Sequence, residues 1–389
     1  MTFVQQEQQL IFQTYKRFPL FIQRGEGVWV WDEQGKKYLD FLAGIAVNAL
    51  GHCHPAIVQA AQRQLTQLGH TSNLYYTQSM LSLAQRLVSL SNLEKVFYAN
   101  SGAEANEAAI KLARKYHPEK FEIICCHQSF HGRTLATITA TGQPKYQKGF
   151  EPLVPGFKHV AYNNLNALET AISEQTAAIF LEPIQGEGGV IIPDENYLKQ
   201  VRELCDQREI LLVLDEVQTG CGRTGKFFAY EHSRILPDIV TLAKALGGGL
   251  PIGVCLAKEK VAAAFQFGDH ASTFGGHPVS CAAALAFLDT IESDNLLARC
   301  QDLGALILAR LKEHLHDTPI VKEIRGKGLM IGIELHQEVA GEVVLKCQEK
   351  GLLIGTAGSN VVRMLPPLII SESHVEQACE VVLEALQAV

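Results

Sequence analysis

Ile210-Leu211-Leu212-Val213-Leu214-Asp215-Glu216 and Pro237-Asp238-Ile239-Val240-Thr241-Leu242-Ala243-Lys244-Ala245-Leu246-Gly247-Gly248-Gly249 are the stretches on which the fold turns. Each holds a short apolar run that reads as a buried strand. The first delivers Asp215 at its C-terminal end, and the second ends in Lys244 with three glycines behind it. Further runs of the same kind lie at Lys95 to Tyr98, Glu122 to Cys126, Ala177 to Leu181 and Ile252 to Ala257, and helical stretches at 56–68, 78–90 and 103–117 alternate with them. This alternation predicts an α/β fold, a mostly parallel twisted sheet covered by helices on both faces.

The two ends of the chain read differently. Residues 26–42 place apolar and aromatic runs on either side of Asp32-Glu33-Gln34-Gly35, as in a small antiparallel element. After residue 277 come a long helical stretch at 278–315, Lys322 to Leu335, a helix near 339–351, and Val361-Val362-Arg363-Met364. The expected organisation is a large domain over 45–275 and a smaller α+β domain built from 1–44 and 276–389, since chain ends often lie close together.

With 389 residues and 47% apolar content the chain can bury a full core. A net charge of -7 without a basic run argues against nucleic acid as a partner. Ten cysteines, with no Cys-x-x-Cys pair, fit reduced thiols in a cytoplasmic protein. His52-Cys53-His54 matches no zinc spacing, so no metal is expected. No apolar stretch is long enough to span a membrane, and the glutamine-rich start resembles neither a signal nor a transit peptide.

Lys244 is either a surface charge or an amine kept partly desolvated for covalent work. Together with Asp215 it makes the pair that pyridoxal 5'-phosphate needs: an amine for the Schiff base, and a carboxylate to keep the pyridine nitrogen protonated. Asn100-Ser101-Gly102-Ala103-Glu104 follows a strand. Ser101 and Glu104 have capping-box spacing, and the free amides at such a helix start suit a phosphate as readily as they suit an ordinary cap. Phe130 and Arg133 also follow a strand end, the side on which ligands collect in open α/β sheets. There Phe130 can stack on an aromatic group and Arg133 can clamp a carboxylate. Gln218 can hydrogen-bond a ring oxygen, Glu187 lies in a glycine-rich loop after another strand, and Thr273 can offer a hydroxyl to phosphate. Gly220-Cys221-Gly222-Arg223-Thr224-Gly225-Lys226 imitates a nucleotide loop, but Phe227 replaces the magnesium-holding hydroxyl and no suitable helix follows.

Taken together, these residues resemble the class III (ω-type) aminotransferases of the fold-type-I pyridoxal phosphate superfamily, over roughly residues 16–385. Leu50-Gly51-His52-Cys53-His54-Pro55, His70-Thr71-Ser72-Asn73-Leu74-Tyr75-Tyr76 and Val362-Arg363-Met364-Leu365-Pro366-Pro367-Leu368 are most similar to the branch that transaminates N2-acetylornithine in arginine biosynthesis. The resemblance implies a seven-stranded sheet, Lys244 and Asp215 as catalytic residues, and cofactor contacts from Ser101, Gly102, Ala103, Phe130, Glu216, Val217 and Gln218. It implies that Thr273 reaches the phosphate of the neighbouring subunit, in a homodimer with shared active sites. Arg133 and Ser272 would meet the acyl-ornithine, and Arg363 would hold the α-carboxylate of glutamate.

The terminal amine of acetylornithine brings only CH2 groups to the place where glutamate brings a carboxylate. Arg363 would then be an unpaired buried cation, so Glu187 is expected to pair with it and to swing aside for glutamate. Substrates of close relatives (ornithine, 4-aminobutyrate, succinylornithine, succinyl-diaminopimelate) remain open at this point, as does an aminomutase. A nucleotide-binding protein using Gly220 to Lys226 is the alternative from another class.

Overall fold

The computed structural model describes residues 2–315 and 318–389; Met1, His316 and Asp317 lie outside the described residues. Seven strands form one sheet in the order Lys95–Ala99, Gly253–Ala257, Ile239–Leu242, Leu211–Asp215, Thr176–Leu181, Glu122–Cys126 and Phe157–Val160. Gly253–Ala257 runs antiparallel to both neighbours, and the remaining pairings are parallel.

The four strands from Gly253–Ala257 to Thr176–Leu181 are buried at every residue. Both faces of a doubly covered sheet must be apolar, which is why these strands read as unbroken apolar runs. The seventh strand, Phe157–Val160, lies at an edge, is only partly buried and carries Lys158 and His159, so its sequence gives no such run.

Alternate residues feed two cores. On one face Ile124, Ile179, Leu212, Leu214, Val240 and Leu256 pack with Leu83, Leu87, Val201 and Phe287. On the other, Ile123, Phe180, Leu211, Val213 and Ile239 meet Ala108, Ala109, Leu112 and Ala113 of the helix Gly102–Tyr116. Adjacent Cys125 and Cys126 therefore belong to opposite cores. Emptying one such position, as in Leu212→Ala, removes a fully buried side chain and costs about 2–5 kcal/mol.

The stretch expected to be one helix over 278–315 is two, Pro278–Ser293 and Leu296–Leu315. The chain breaks at Asp294-Asn295, where Asn295 takes a φ of 51°. The first of these helices packs on Pro55–Gln67 and Gln78–Ser91. A four-stranded sheet joins Ile22–Glu26, Trp29–Asp32 and Lys37–Asp40 to Leu352–Leu353 from the far end of the chain. A second sheet is ordered Val321–Lys327, Met330–Leu335, Val361–Met364, Gly355–Thr356. Among the described residues no helix is long and apolar enough to cross a membrane.

The nucleotide-loop imitation is a packing junction. Arg223 is 1% exposed and donates to the carbonyls of Leu329 and Pro366. Gly225, at φ 88°, sits where a Cβ would lie 2.3 Å from Gln301 Cγ. Its chemistry is that of a core contact between segments far apart in sequence.

Candidate active site

Parallel strands bring their C-terminal ends to one rim of the sheet, so the loops that leave them gather there. Asn100–Ala103, Phe130–Arg133, Glu182, Glu187, Asp215, Val217, Gln218 and Lys244 all come from such strand ends, and they surround a cavity of about 430 Å3. Ten of the residues named from the sequence line it: Ser101, Gly102, Ala103, Phe130, Arg133, Glu187, Asp215, Val217, Gln218 and Lys244.

Lys244 leaves the end of its strand with a φ of 45°, a left-handed conformation that side-chain-bearing residues adopt at a cost of about 1–3 kcal/mol. Gly248 and Gly249, at φ 57° and 106°, carry the chain onward through conformations that favour glycine. Burial pulls the Lys244 amine below the ordinary lysine pKa; the Glu187 carboxylate opposes this and the Arg363 guanidinium adds to it. An amine so placed gives up its proton more readily than a surface lysine.

Asp215 is 4% exposed and held from several sides. Oδ2 accepts from Asn106 Nδ2 at 2.8 Å and lies 2.8 Å from His131 Nδ1, while Oδ1 accepts from the Val217 amide at 3.0 Å. Asn106 also takes a hydrogen bond from Thr241 Oγ1 at 2.7 Å, and the His131 ring stacks on Phe180 with centroids 4.1 Å apart. The carboxylate cannot rotate without breaking these contacts. Asn106, His131 and Glu182 line the cavity and were not assigned from the sequence. The available signal for Asn106 was one amide in the alanine-rich buried stripe of the helix Gly102–Tyr116.

Glu187 lines the cavity and is ion-paired with Arg363, which does not itself line it. Arg363 Nη1 lies 2.6 Å from Glu187 Oε1, and the guanidinium is 3% exposed against 25% for the carboxylate. Directly across the sheet from Arg363 stand Gly332 and Gly355, so no cross-strand side chain covers it. Gln218 joins both partners, donating to Glu187 at 3.2 Å and accepting from Arg363 at 3.4 Å. Burial pushes the Glu187 pKa up, but Arg363 outweighs that and holds the carboxyl below its ordinary range. Among the described residues Arg363 Nε has no hydrogen-bond partner. Arg133 lies over the Tyr146 ring, 3.9 Å from its centroid, with Phe130 edge-on to the same ring.

One sequence expectation needs correction. The Glu216 side chain does not line the cavity: it turns away, is 1% exposed, and accepts from the amides of Ala229 and Tyr230 at 2.8 and 2.9 Å. Burial pushes its pKa up to about 7 against those bonds. Ser272 and Thr273 lie outside the lining of this chain's own cavity: Ser272 Oγ accepts from Asn100 Nδ2 at 3.1 Å, and Thr273 is exposed beside His70–Asn73. The capping box at Ser101 is half formed. Ser101 Oγ takes the Glu104 amide, but the Glu104 carboxylate reaches the Asn100 amide instead of that of Ser101.

The donor set fits pyridoxal phosphate. At Gly102 a Cβ would sit 2.7 Å from Val217 Cγ1, so only glycine lets the helix start so close to the cavity wall and turn its free amides toward an anion. A carboxylate and a partly desolvated lysine open onto the same space, with Phe130 and Val217 as apolar surface. Fold and cavity define a fold-type-I, pyridoxal phosphate-dependent enzyme.

The pattern of the aminotransferase class-III family matches residues 11–386, and the chain belongs to that family. It is 52% identical to the acetylornithine aminotransferase of Methanothermobacter thermautotrophicus, over 97% of this chain and 96% of that one. The structure of a Toxoplasma gondii ornithine aminotransferase, described with partial occupancy of pyridoxal phosphate at its active site, superposes with a TM-score of 0.96 at 35% identity, covering 100% of this chain and 94% of that one. The acetylornithine aminotransferase of Elizabethkingia anophelis superposes with a TM-score of 0.90 at 37% identity, covering 100% and 98%.

Proposed function

We propose that this enzyme transfers the terminal amine of N2-acetyl-L-ornithine to 2-oxoglutarate, giving N-acetyl-L-glutamate 5-semialdehyde and L-glutamate, as a step of arginine biosynthesis in the cytoplasm. The observation that carries this reading is the Glu187–Arg363 pair: Glu187 lines the same cavity as Lys244, and the charge of its partner Arg363 is felt at the Lys244 amine. An enzyme handling one substrate with an α-carboxylate at the reacting carbon and one without needs a cation that can be shown or hidden, and this pair supplies it. The preference for the acetylated substrate draws support from sequence identity, which among the named relatives is higher to the two acetylornithine aminotransferases, at 52% and 37%, than to the ornithine aminotransferase, at 35%.

Pyridoxal phosphate supplies an electron-accepting ring conjugated to an aldehyde carbon. Lys244 would hold it covalently, the amides of Gly102 and Ala103 with Ser101 its phosphate, Asp215 its ring nitrogen, Gln218 its ring oxygen, and Phe130 and Val217 its faces. Lys244 Nζ, an amine that burial leaves readily deprotonated, would also remove the proton from the amine-bearing carbon of the substrate and return it. Arg363 would receive the α-carboxylate of glutamate once Glu187 moves off. Arg133 and Ser272 would bind the acyl-ornithine end.

The homodimer is part of the proposal. Thr273 would serve the neighbouring subunit's phosphate, and its surroundings favour a contact. Leu74, Tyr75, Tyr76 and Phe274 are 85, 66, 89 and 54% exposed, and Asn73 ties their loop to the Ser272 and Gly275 carbonyls. The domain division 45–275 against 1–44 with 276–389 draws support from the pairing of Lys37–Asp40 with Leu352–Leu353. Rates with N2-acetylornithine and free ornithine, each with 2-oxoglutarate, test the substrate assignment; faster turnover of free ornithine would replace it with an ornithine aminotransferase.

A further inference from the structure

Glu182 directly follows the strand Thr176–Leu181, which is buried at every residue; it is itself 6% exposed and forms no ion pair among the described residues. Its two oxygens are nonetheless both engaged. Oε1 accepts from the amide of Phe130 at 2.9 Å, and Oε2 accepts from the amide of Gly186 at 3.0 Å. Phe130 lines the cavity, and Gly186 immediately precedes Glu187, which lines it too. The backbone beneath Glu182 is fixed as well, since Tyr162 Oη donates to the carbonyls of Glu182 and Pro183 at 3.0 and 2.9 Å.

Gly186 has little room to shift. A Cβ there would lie 2.3 Å from Gln218 Oε1, and Gln218 in turn bonds both Glu187 and Arg363. A displacement of the Gly186 amide is therefore felt directly by the side chains that set the ion pair. The base of the loop has separate anchors: Gln185 bridges Ile191 through the backbone, and its side chain donates to the His127 carbonyl at 3.0 Å. Loss of the Glu182 contacts would loosen the tip of the loop without releasing its base.

We propose that Glu182 is a positioning residue for substrate alternation, a strut whose carboxylate ties the Phe130 wall to the Glu187 loop and so holds Glu187 against Arg363. This rests on the reading above that Glu187 hides Arg363 from the terminal-amine substrate. A buried carboxylate that lacks a cation but accepts two amides is costly to keep, and burial, opposed by His131 and reinforced by Asp215, raises its pKa to about 7. A side chain retained at such a position has geometry to enforce.

The test is Glu182→Gln in the holoenzyme. Glutamine keeps the size but offers one oxygen and one NH2, so one of the two amides must face another donor. The variant is expected to keep its bound-cofactor absorbance, to slow the acetylornithine half-reaction by about tenfold or more, the factor for a lost hydrogen bond to a charged group, and to change the glutamate half-reaction far less. Its crystal structure should show Glu187 withdrawn beyond hydrogen-bond reach of Arg363, a readout independent of turnover. Because the strut acts through Glu187, E182Q/E187Q should show the same ratio of half-reaction rates as E187Q alone. Equal slowing of both halves, an ion pair still at 2.6 Å, or effects that multiply in the double variant would each overturn the proposal. An unaltered enzyme inactive with both acetylornithine and glutamate would instead overturn the proposed function, and the crystallographic comparison would still decide the strut.

Discussion

Replacing Glu187 with glutamine tests how one cavity accepts two unlike substrates. In the resting geometry Arg363 makes a 2.6 Å contact to Glu187 and a 3.4 Å contact to Gln218 Oε1, and it is 3% exposed. Removing one charge from a fully buried pair costs about 3–5 kcal/mol. Glu187 is 25% exposed and Gln218 remains, so a discounted value near that of one charge-assisted hydrogen bond applies, about 2 kcal/mol. The penalty falls only where no substrate carboxylate reaches Arg363. The acetylornithine half-reaction should slow about thirtyfold, since about 1.4 kcal/mol is a factor of ten. The glutamate half-reaction brings its own anion to Arg363 and should stay within about threefold by the same conversion. Stopped-flow absorbance under single-turnover conditions reads each half separately. Equal losses in both halves would refute the reasoning, because a wall that merely shapes the cavity would act on both substrates alike.

Asn106→Ala removes one donor to Asp215 and the acceptor for Thr241 without touching the ion pair, so both half-reactions should slow together by about tenfold, as for one buried hydrogen bond lost; a change confined to one half would contradict this. Gly225→Ala forces a Cβ to within 2.3 Å of Gln301 Cγ at a φ of 88°, and should lower the denaturation midpoint by an amount equivalent to about 2–4 kcal/mol while leaving the cofactor spectrum intact. Asp238 is bonded by Arg202 and Lys258 at 2.7 and 2.8 Å; burial alone would raise its pKa, but these cations outweigh that and hold it below its ordinary 3.8. Its contribution to stability is therefore present above the unfolded value and lost as pH falls through the lower folded one. Asp238→Asn should cost about 3–5 kcal/mol at neutral pH and flatten the fall of the melting temperature below about pH 4, as thermal scans across pH would show.

The sheet was legible in the sequence wherever strands are covered on both faces, because only there does burial demand an unbroken apolar run. Phe157–Val160 escaped because a half-buried edge strand can carry polar residues, Lys158 bonded to Glu122 and His159 set against the Ala140 carbonyl. The break between Pro278–Ser293 and Leu296–Leu315 escaped because Asn295 turns the chain without glycine or proline. Asp215 and Lys244 could be found because each follows a recognisable strand, and parallel strands deliver such residues to one rim. Glu182 carries the same signal, an acid closing a buried strand, and could have been assigned on the same ground. His131 could not: its contact with Asp215 depends on which loops become neighbours across the sheet, and adjacency in sequence does not report that. Glu216 shows the converse. It directly follows Asp215, but successive side chains point to opposite sides, and it caps backbone amides instead.

The central claim is that the lysine just after the strand Ile239–Leu242 is the amine that holds the cofactor, with Asp215 lining the same cavity. Borohydride reduction of the yellow holoenzyme followed by peptide mass spectrometry tests it directly. The account predicts a pyridoxyl phosphate adduct on Lys244 alone, absent from Lys244→Ala and retained in Asp215→Asn. An adduct on another lysine of the unaltered protein, or one that survives in Lys244→Ala, would contradict it.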